Sequence, residues 1–319
     1  MTGLYYFDHH YGITTIDTGF VRPGFDASYL IVEGDQAAFI DVGVASAVPL
    51  LLQVLQKKQI APERVTYVIV THIHLDHAGA TGALLEHLPN AQVVVHPKGA
   101  RHLISPDNLI KGATAVYGEE RMITLFGNVV PVPKERIIAA EDQLRLDFNR
   151  RVLLLLDTQG HARHHLCIVD EQSQGIFTGD TFGLSYREFD TAAGSLILPS
   201  SSPVHFDPDA MHASIDQLMQ YQPKSLYLTH FGCVTDVERL AHDMHAGIDQ
   251  YVSLAQGITA QGEERTRQLT EGMEALFVER SRSHGCQLDE TLIKSLLAPD
   301  VALNVMGLEV WLDKTRKPA

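Results

Sequence analysis

Residues 71–79 read THIHLDHAG, so His72, His74, Asp76 and His77 place four metal-capable side chains directly behind the apolar run at 65–70. A strand ending here sends His72 and His74 to the same side, because side chains alternate along a strand, and a following turn can swing Asp76 and His77 inward. Two metal ions can share such a cluster.

More ligands stand at the ends of other expected strands. His161 follows a strand at 151–157, Asp180 one at 175–178 and His230 one at 225–228, each in a loop at a carboxyl end where side chains from separate elements converge. They divide into His72, His74 and His161 for a first ion and Asp76, His77 and His230 for a second, with Asp180 bridging. Imidazole and carboxylate donors suit zinc, iron or manganese, and no thiolate in the motif forces a choice.

β-rich runs at 13–18, 28–33, 37–42, 67–71 and 92–95 alternate with helical stretches at 45–57, 80–87 and 113–125. The alternation returns with strands at 143–146, 151–157, 166–169, 175–178 and 225–228 and a helix at 208–221 capped by Asp207. Two facing sheets covered by helices, a four-layer αββα sandwich, accommodate this order. From 236 onward the periodicity is helical only, at 236–256, 262–281, 289–297 and 301–313, which predicts a catalytic domain over 1–235 and a helical extension over 236–319. No internal repeat is evident, and the longest irregular stretch is 182–203.

Composition narrows the partners. With 25 basic against 39 acidic residues in 319, the formal charge of -14 opposes nucleic acid and anionic membranes. Three scattered cysteines form no disulfide framework. The opening residues lack the basic start and apolar segment of a signal peptide, and no apolar run reaches the roughly 20 residues of a membrane span, so a cytoplasmic protein without membrane contact is expected.

The chain resembles the metallo-β-lactamase-fold hydrolases, whose HxHxDH motif is present as His72, His74, Asp76 and His77 and whose later His, Asp and His match His161, Asp180 and His230. The resemblance implies the αββα fold and a binuclear centre with two divalent ions. It extends to FIDVG, where Asp41 matches an early aspartate behind the metal ligands, and to GHARHH, where His165 resembles the second histidine of glyoxalase II-like members. His74 stands where oxygen-reducing diiron relatives carry glutamate, Asp180 is absent from true β-lactamases, and Gly183 replaces a tyrosine of quorum-signal lactonases. The helical tail and GDTFGLSYREFD are closest in kind to the quinolone-signal thioesterase branch.

The expected function is a metal-dependent hydrolase in which two ions roughly 3.5–4 Å apart turn a bridging water into hydroxide, with Asp76 shuttling its proton. A small ester, thioester or lactone is the expected substrate. A small phosphodiester is the alternative within the class, and a regulatory binding protein retaining the fold is the alternative outside it. Tyr186, Phe189 and His205, in or beside the irregular stretch, are candidates for a substrate pocket. The apolar faces of the terminal helices suit packing or a homodimer surface. Histidines such as His87, His96, His102, His242 and His284 read as structural or surface groups.

Overall fold

Strand-forming runs separated by short turns assemble two sheets in the computed structural model, which describes residues 4–201 and 204–316. The first sheet follows chain order: β1 (Tyr6–Asp8), β2 (Ile13–Asp17), β3 (Ala27–Glu33), β4 (Gln36–Ile40), β5 (Val65–Ile69), β6 (Gln92–Val95) and β7 (Ile137–Ala139). Pairing is antiparallel up to β4 and parallel from there to β7. The second sheet contains β8 (Leu144–Phe148), β9 (Arg151–Asp157), β10 (Leu166–Asp170), β11 (Gly175–Gly179), β12 (Ser225–Leu228) and β13 (Gly232–Val234), with β11 and β12 parallel. The strands β1, β7 and β13 are not anticipated by the sequence reading; each has three residues, too few for a period to show.

The chain divides into two compact units. The first takes everything up to Asp157, then His164–Gly179 and Gln222–Thr235, and so holds both sheets. It also holds α1 (Val48–Lys57), α2 (Leu75–Ala78), α3 (Thr81–Leu85), α4 (Pro97–Ile104), α5 (Asp107–Tyr117) and α6 (Glu119–Phe126). Parallel pairing of β4 with β5 needs a crossover, and α1 supplies it, burying Val48, Leu51, Val54 and Leu55 at helical spacing against Phe39, Val68 and Val93. Across the interior, Tyr29 of β3 meets Phe177 of β11 and Tyr227 of β12 edge-on, at centroid distances of 5.2 and 5.6 Å. The single helix expected at 113–125 is instead two, because Gly118 takes φ 82° and breaks the run.

The second unit comprises Thr158–Arg163, Asp180–Tyr221 and the chain from Asp236 on, so the helical extension is joined there by two earlier segments. Its helices are α7 (Pro208–Met219), α8 (Val237–Gly257), α9 (Gly262–Ser283) and α10 (Glu290–Thr315). Asp207 caps α7 as expected, accepting from Ala210 N at 3.1 Å. The two helices expected at 289–297 and 301–313 are one: α10 runs through Pro299, because Ile293, Leu297, Val301, Val305, Leu308 and Leu312 keep one buried face in register across it. That shared burial offsets the roughly 3 kcal/mol a helix-interior proline costs. By length and hydropathy α10 is apolar enough to cross a membrane, a property the sequence reading did not expect; within this unit the helix packs on α8 and α9.

Candidate metal centre

The polar ends of the strands carry the chemistry. In the first unit the chain leaves β5, bends at Thr71, reaches His74 in extended backbone, and makes one helical turn, α2, that turns Asp76 and His77 inward. His230 arrives from the end of β12. His72 and His77 are fully buried and His230 nearly so, whereas Asp76 keeps part of its carboxylate exposed. His72 Nε2 lies 2.8 Å from His74 Nδ1. Asp76 Oδ2 lies 3.5 Å from His230 Nε2 and 3.9 Å from His77 Nε2. One donor atom from each of Asp76, His77 and His230 falls within 4.8 Å of the others, a spacing that one cation can span.

What aims these donors is the hydrogen bond on the other side of each ring. Asp41, just past β4, is buried with φ 49°, a left-handed conformation that aspartate tolerates better than most residues. Its carboxylate accepts from His77 Nδ1 at 2.8 Å, Thr71 N at 2.8 Å, Thr71 Oγ1 at 2.9 Å and Thr229 Oγ1 at 2.8 Å. With its Nδ1–H committed to Asp41, His77 keeps the Nε2 lone pair for a cation. His230 repeats the device, giving Nδ1–H to the Phe25 carbonyl at 2.8 Å and turning Nε2 toward Asp76.

His165 is buried beside His72, with ring centroids 4.9 Å apart and planes at 26°. Gly179 closes the same corner: it has φ 48°, and a Cβ there would stand 2.6 Å from both His165 Nε2 and Thr71 Oγ1. In the second unit, His161 gives Nδ1–H to the Ser200 carbonyl at 3.2 Å and holds Nε2 3.4 Å from Asp180 Oδ2, both side chains buried. The donor chemistry and ring orientations in both units fit a divalent metal.

The pocket candidates lie in the second unit. Tyr186 and Phe189 are buried, and the Tyr186 hydroxyl donates to Asp300 Oδ1 at 3.0 Å. His205 is half-buried, and burial, reinforced by Arg163, Lys314 and His161, holds its pKa down at about 4.

Several polar residues of the first unit were not foreseen. Thr71 and Thr229 each precede a histidine of the cluster and each bind Asp41; the repeated Thr-His pair, at 71–72 and 229–230, is the signal that could have found them. His164 lies 5.8 Å from His74 ring to ring. Asp26 is fully buried and accepts from Thr18 Oγ1 at 2.6 Å. Burial raises its pKa to about 7 against the lowering pull of His230 and His77.

Buried imidazoles with locked tautomers, set at the ends of paired sheets, define a metal-dependent hydrolase. The model of the metallo-beta-lactamase superfamily matches residues 21–230, and the chain belongs to that superfamily. It is 25% identical over 229 residues to a metallo-beta-lactamase fold-containing protein of Sulfurisphaera tokodaii, covering 70% of this chain and 80% of that one. The crystal structure of the archaeal protein superposes with TM-score 0.66 at 21% identity, covering 93% and 98% of the two chains, and carries the same fold. An acyl-coenzyme A thioesterase of Gallus gallus is 27% identical over 197 residues, covering 56% of this chain and 67% of its own length. A hydroxyacylglutathione hydrolase of Parasynechococcus marenigrum is 41% identical over 159 residues, covering 48% of this chain and 49% of its own. The αββα fold with C-terminal helices and the dependence on divalent metal expected from the sequence thus stand.

Proposed function

We propose that the protein hydrolyses small thioesters with two divalent ions, zinc being the best match to the donors. His72, His74 and His161 would hold one ion, Asp76, His77 and His230 the other, and Asp180 both. The observation that carries this reading is the paired tautomer lock, Asp41 on His77 and the Phe25 carbonyl on His230, which leaves two Nε2 atoms facing the Asp76 carboxylate. The order of the seven residues along the chain supports the second ion, and two relatives named for thioester hydrolysis support the substrate class.

When bound, the ions supply Lewis acidity and bring the pKa of water toward neutrality. The chain's own part is positional. Asp76, partly open to solvent, would give the ion the Oδ2 that faces His77 and His230 and can take a proton from an attacking water at its other carboxylate oxygen, then pass it to the departing thiolate. Asp41 keeps His77 from turning, and the Asp41 contacts to Thr71 and Thr229 hold the ends of two strands in place while charge develops nearby.

The test is Asp180→Ala. Elemental analysis and turnover on a panel of acyl-coenzyme A and glutathione thioesters should show metal and activity falling together; unchanged metal content and rate would refute the bridging role. Faster turnover of oxygen esters or small phosphodiesters than of any thioester would displace the substrate class while leaving the centre intact.

A further inference from the structure

Two helices of the second unit carry one five-residue pattern, HASID over 212–216 in α7 and HAGID over 245–249 in α8, a recurrence too short to register as a repeat when the sequence is scanned for one. The four-residue spacing puts histidine and aspartate on one helix face, a turn apart. Ile215 and Ile248, each fully buried, fix the rotation of the two helices and leave His212 and His245 partly exposed and Asp216 and Asp249 exposed.

The patterns cross. His212 Nε2 lies 3.2 Å from Asp249 Oδ1, His245 Nε2 lies 3.3 Å from Asp216 Oδ1, and the two Nδ1 atoms face each other at 2.6 Å. The ring planes lie within 6° and the centroids 4.9 Å apart, a gap larger than the N···N distance only by the depth of the two rings. The imidazoles therefore meet edge to edge in one plane, nitrogen to nitrogen, rather than face to face.

That arrangement suits a metal ion as well as a proton. Each carboxylate lies at ion-pair distance from the Nε2 of its ring, and a neutral ring that keeps its proton on Nε2 presents Nδ1 as a lone pair. Nδ1 atoms this close share a hydrogen when one ring carries it there, and can share a metal ion instead when both rings keep their protons on Nε2. The two aspartates, 73% and 71% exposed, add negative charge beside the rings that attracts a dication more strongly than a single proton. Carboxylates on the far nitrogens are also the partners that metal-bound histidines require.

We propose that His212 and His245 form a second metal site, separate from the hydrolytic centre, for a borderline transition-metal dication such as zinc or nickel. The ion is held by the two Nδ1 atoms and by water, with Asp249 and Asp216 orienting the rings. Imidazole nitrogens lie about 2.0–2.1 Å from zinc, so at a tetrahedral angle the rings part by roughly 0.7 Å from their proton-sharing separation. Side chains 27% and 29% exposed can make that movement by rotation. Because the ligands come from α7 and α8, the ion ties the two helices together.

The experiment compares the metal-loaded full-length protein with a His212→Ala/His245→Ala variant, each dialysed against buffered zinc or nickel and analysed for metal per chain and for thermal midpoint. Wild type should hold one more ion per chain than the variant, and added metal should raise its Tm by an increment that the variant lacks. Asp216→Asn/Asp249→Asn should bind that ion about 10-fold more weakly. Should the alanine variant not fold, His212→Gln, which keeps a polar group on α7, reads the same difference. Equal metal content in wild type and a folded histidine variant overturns the proposal, as does a Tm increment that survives the substitution.

Discussion

The two ends of the paired sheets in the first unit each bury a carboxylate and treat it in opposite ways. At one end Asp170 is fully buried against Arg151, itself only 1% exposed. Arg151 Nε donates to Asp170 Oδ1 at 2.7 Å while its other nitrogens reach Asp170 again and the Tyr11 carbonyl, and Ser173 adds a hydroxyl. Charge meets charge and is cancelled. At the other end, among the described residues, neither arginine nor lysine bonds to Asp41; an amide, two threonine hydroxyls and an imidazole hold it. Its negative charge stays available to be felt through His77 by whatever His77 binds. A buried ion pair staples, whereas a buried carboxylate ringed by neutral donors tunes.

The largest expected effect tests the staple. Asp170→Ala leaves Arg151 buried and unpaired and should cost roughly 3–5 kcal/mol in denaturant unfolding, with metal content unchanged in the protein that remains folded. An apolar replacement of both partners, Arg151→Met with Asp170→Leu, should recover most of that loss. If the single variant instead loses metal, the two ends are not distinct in the way drawn here.

Next comes Asp41→Asn, which keeps the shape and removes the charge. Metal affinity should fall about 10- to 100-fold, by competition with a chelator, while unfolding in the metal-free state changes less than for Asp170→Ala. A variant that keeps its metal but unfolds easily would make Asp41 a staple too.

The smallest effect concerns a group outside both ends. His205 in the second unit, held near a pKa of about 4 by burial and by Arg163 and Lys314, is neutral in the fold across the range where its unfolded form protonates. Its folded value lies below the ordinary 6.5, so its contribution is complete above that pH and is lost as pH falls toward 4. With screening at a half-exposed site the total loss amounts to about 1 kcal/mol, and His205→Gln should flatten the stability profile between those values. An unaltered profile would remove His205 from the titrating groups that set acid stability.

How much of this could be read in advance varies with the range of the interaction. The HxHxDH cluster and the strand-end positions of His161, Asp180 and His230 were visible because each depends on a few neighbouring residues and a period, whereas Asp41 was reached through the family resemblance alone. The partners of Asp41 were not, since Thr71 and Thr229 lie 30 and 188 positions away and meet it only once the strands are stacked. Pro299 misled for a related reason: local rules end a helix there, and only the continued burial of Val301, Val305 and Leu308 shows why this one persists. Gly118 shows the converse, a break hidden in an otherwise periodic run because either side alone is a good helix. The crossing of HASID with HAGID needed two helices side by side before it meant anything.

The bare Cα of Gly179 has an effect out of proportion to its size. Where β11 ends, the clearance between a threonine hydroxyl on one sheet and an imidazole edge on the other is less than a methyl group requires. Any longer residue would act as a wedge, widening the mouth of the sandwich and carrying His165 off the back of His72, so the alignment of the histidine rungs depends on a side chain that is not there.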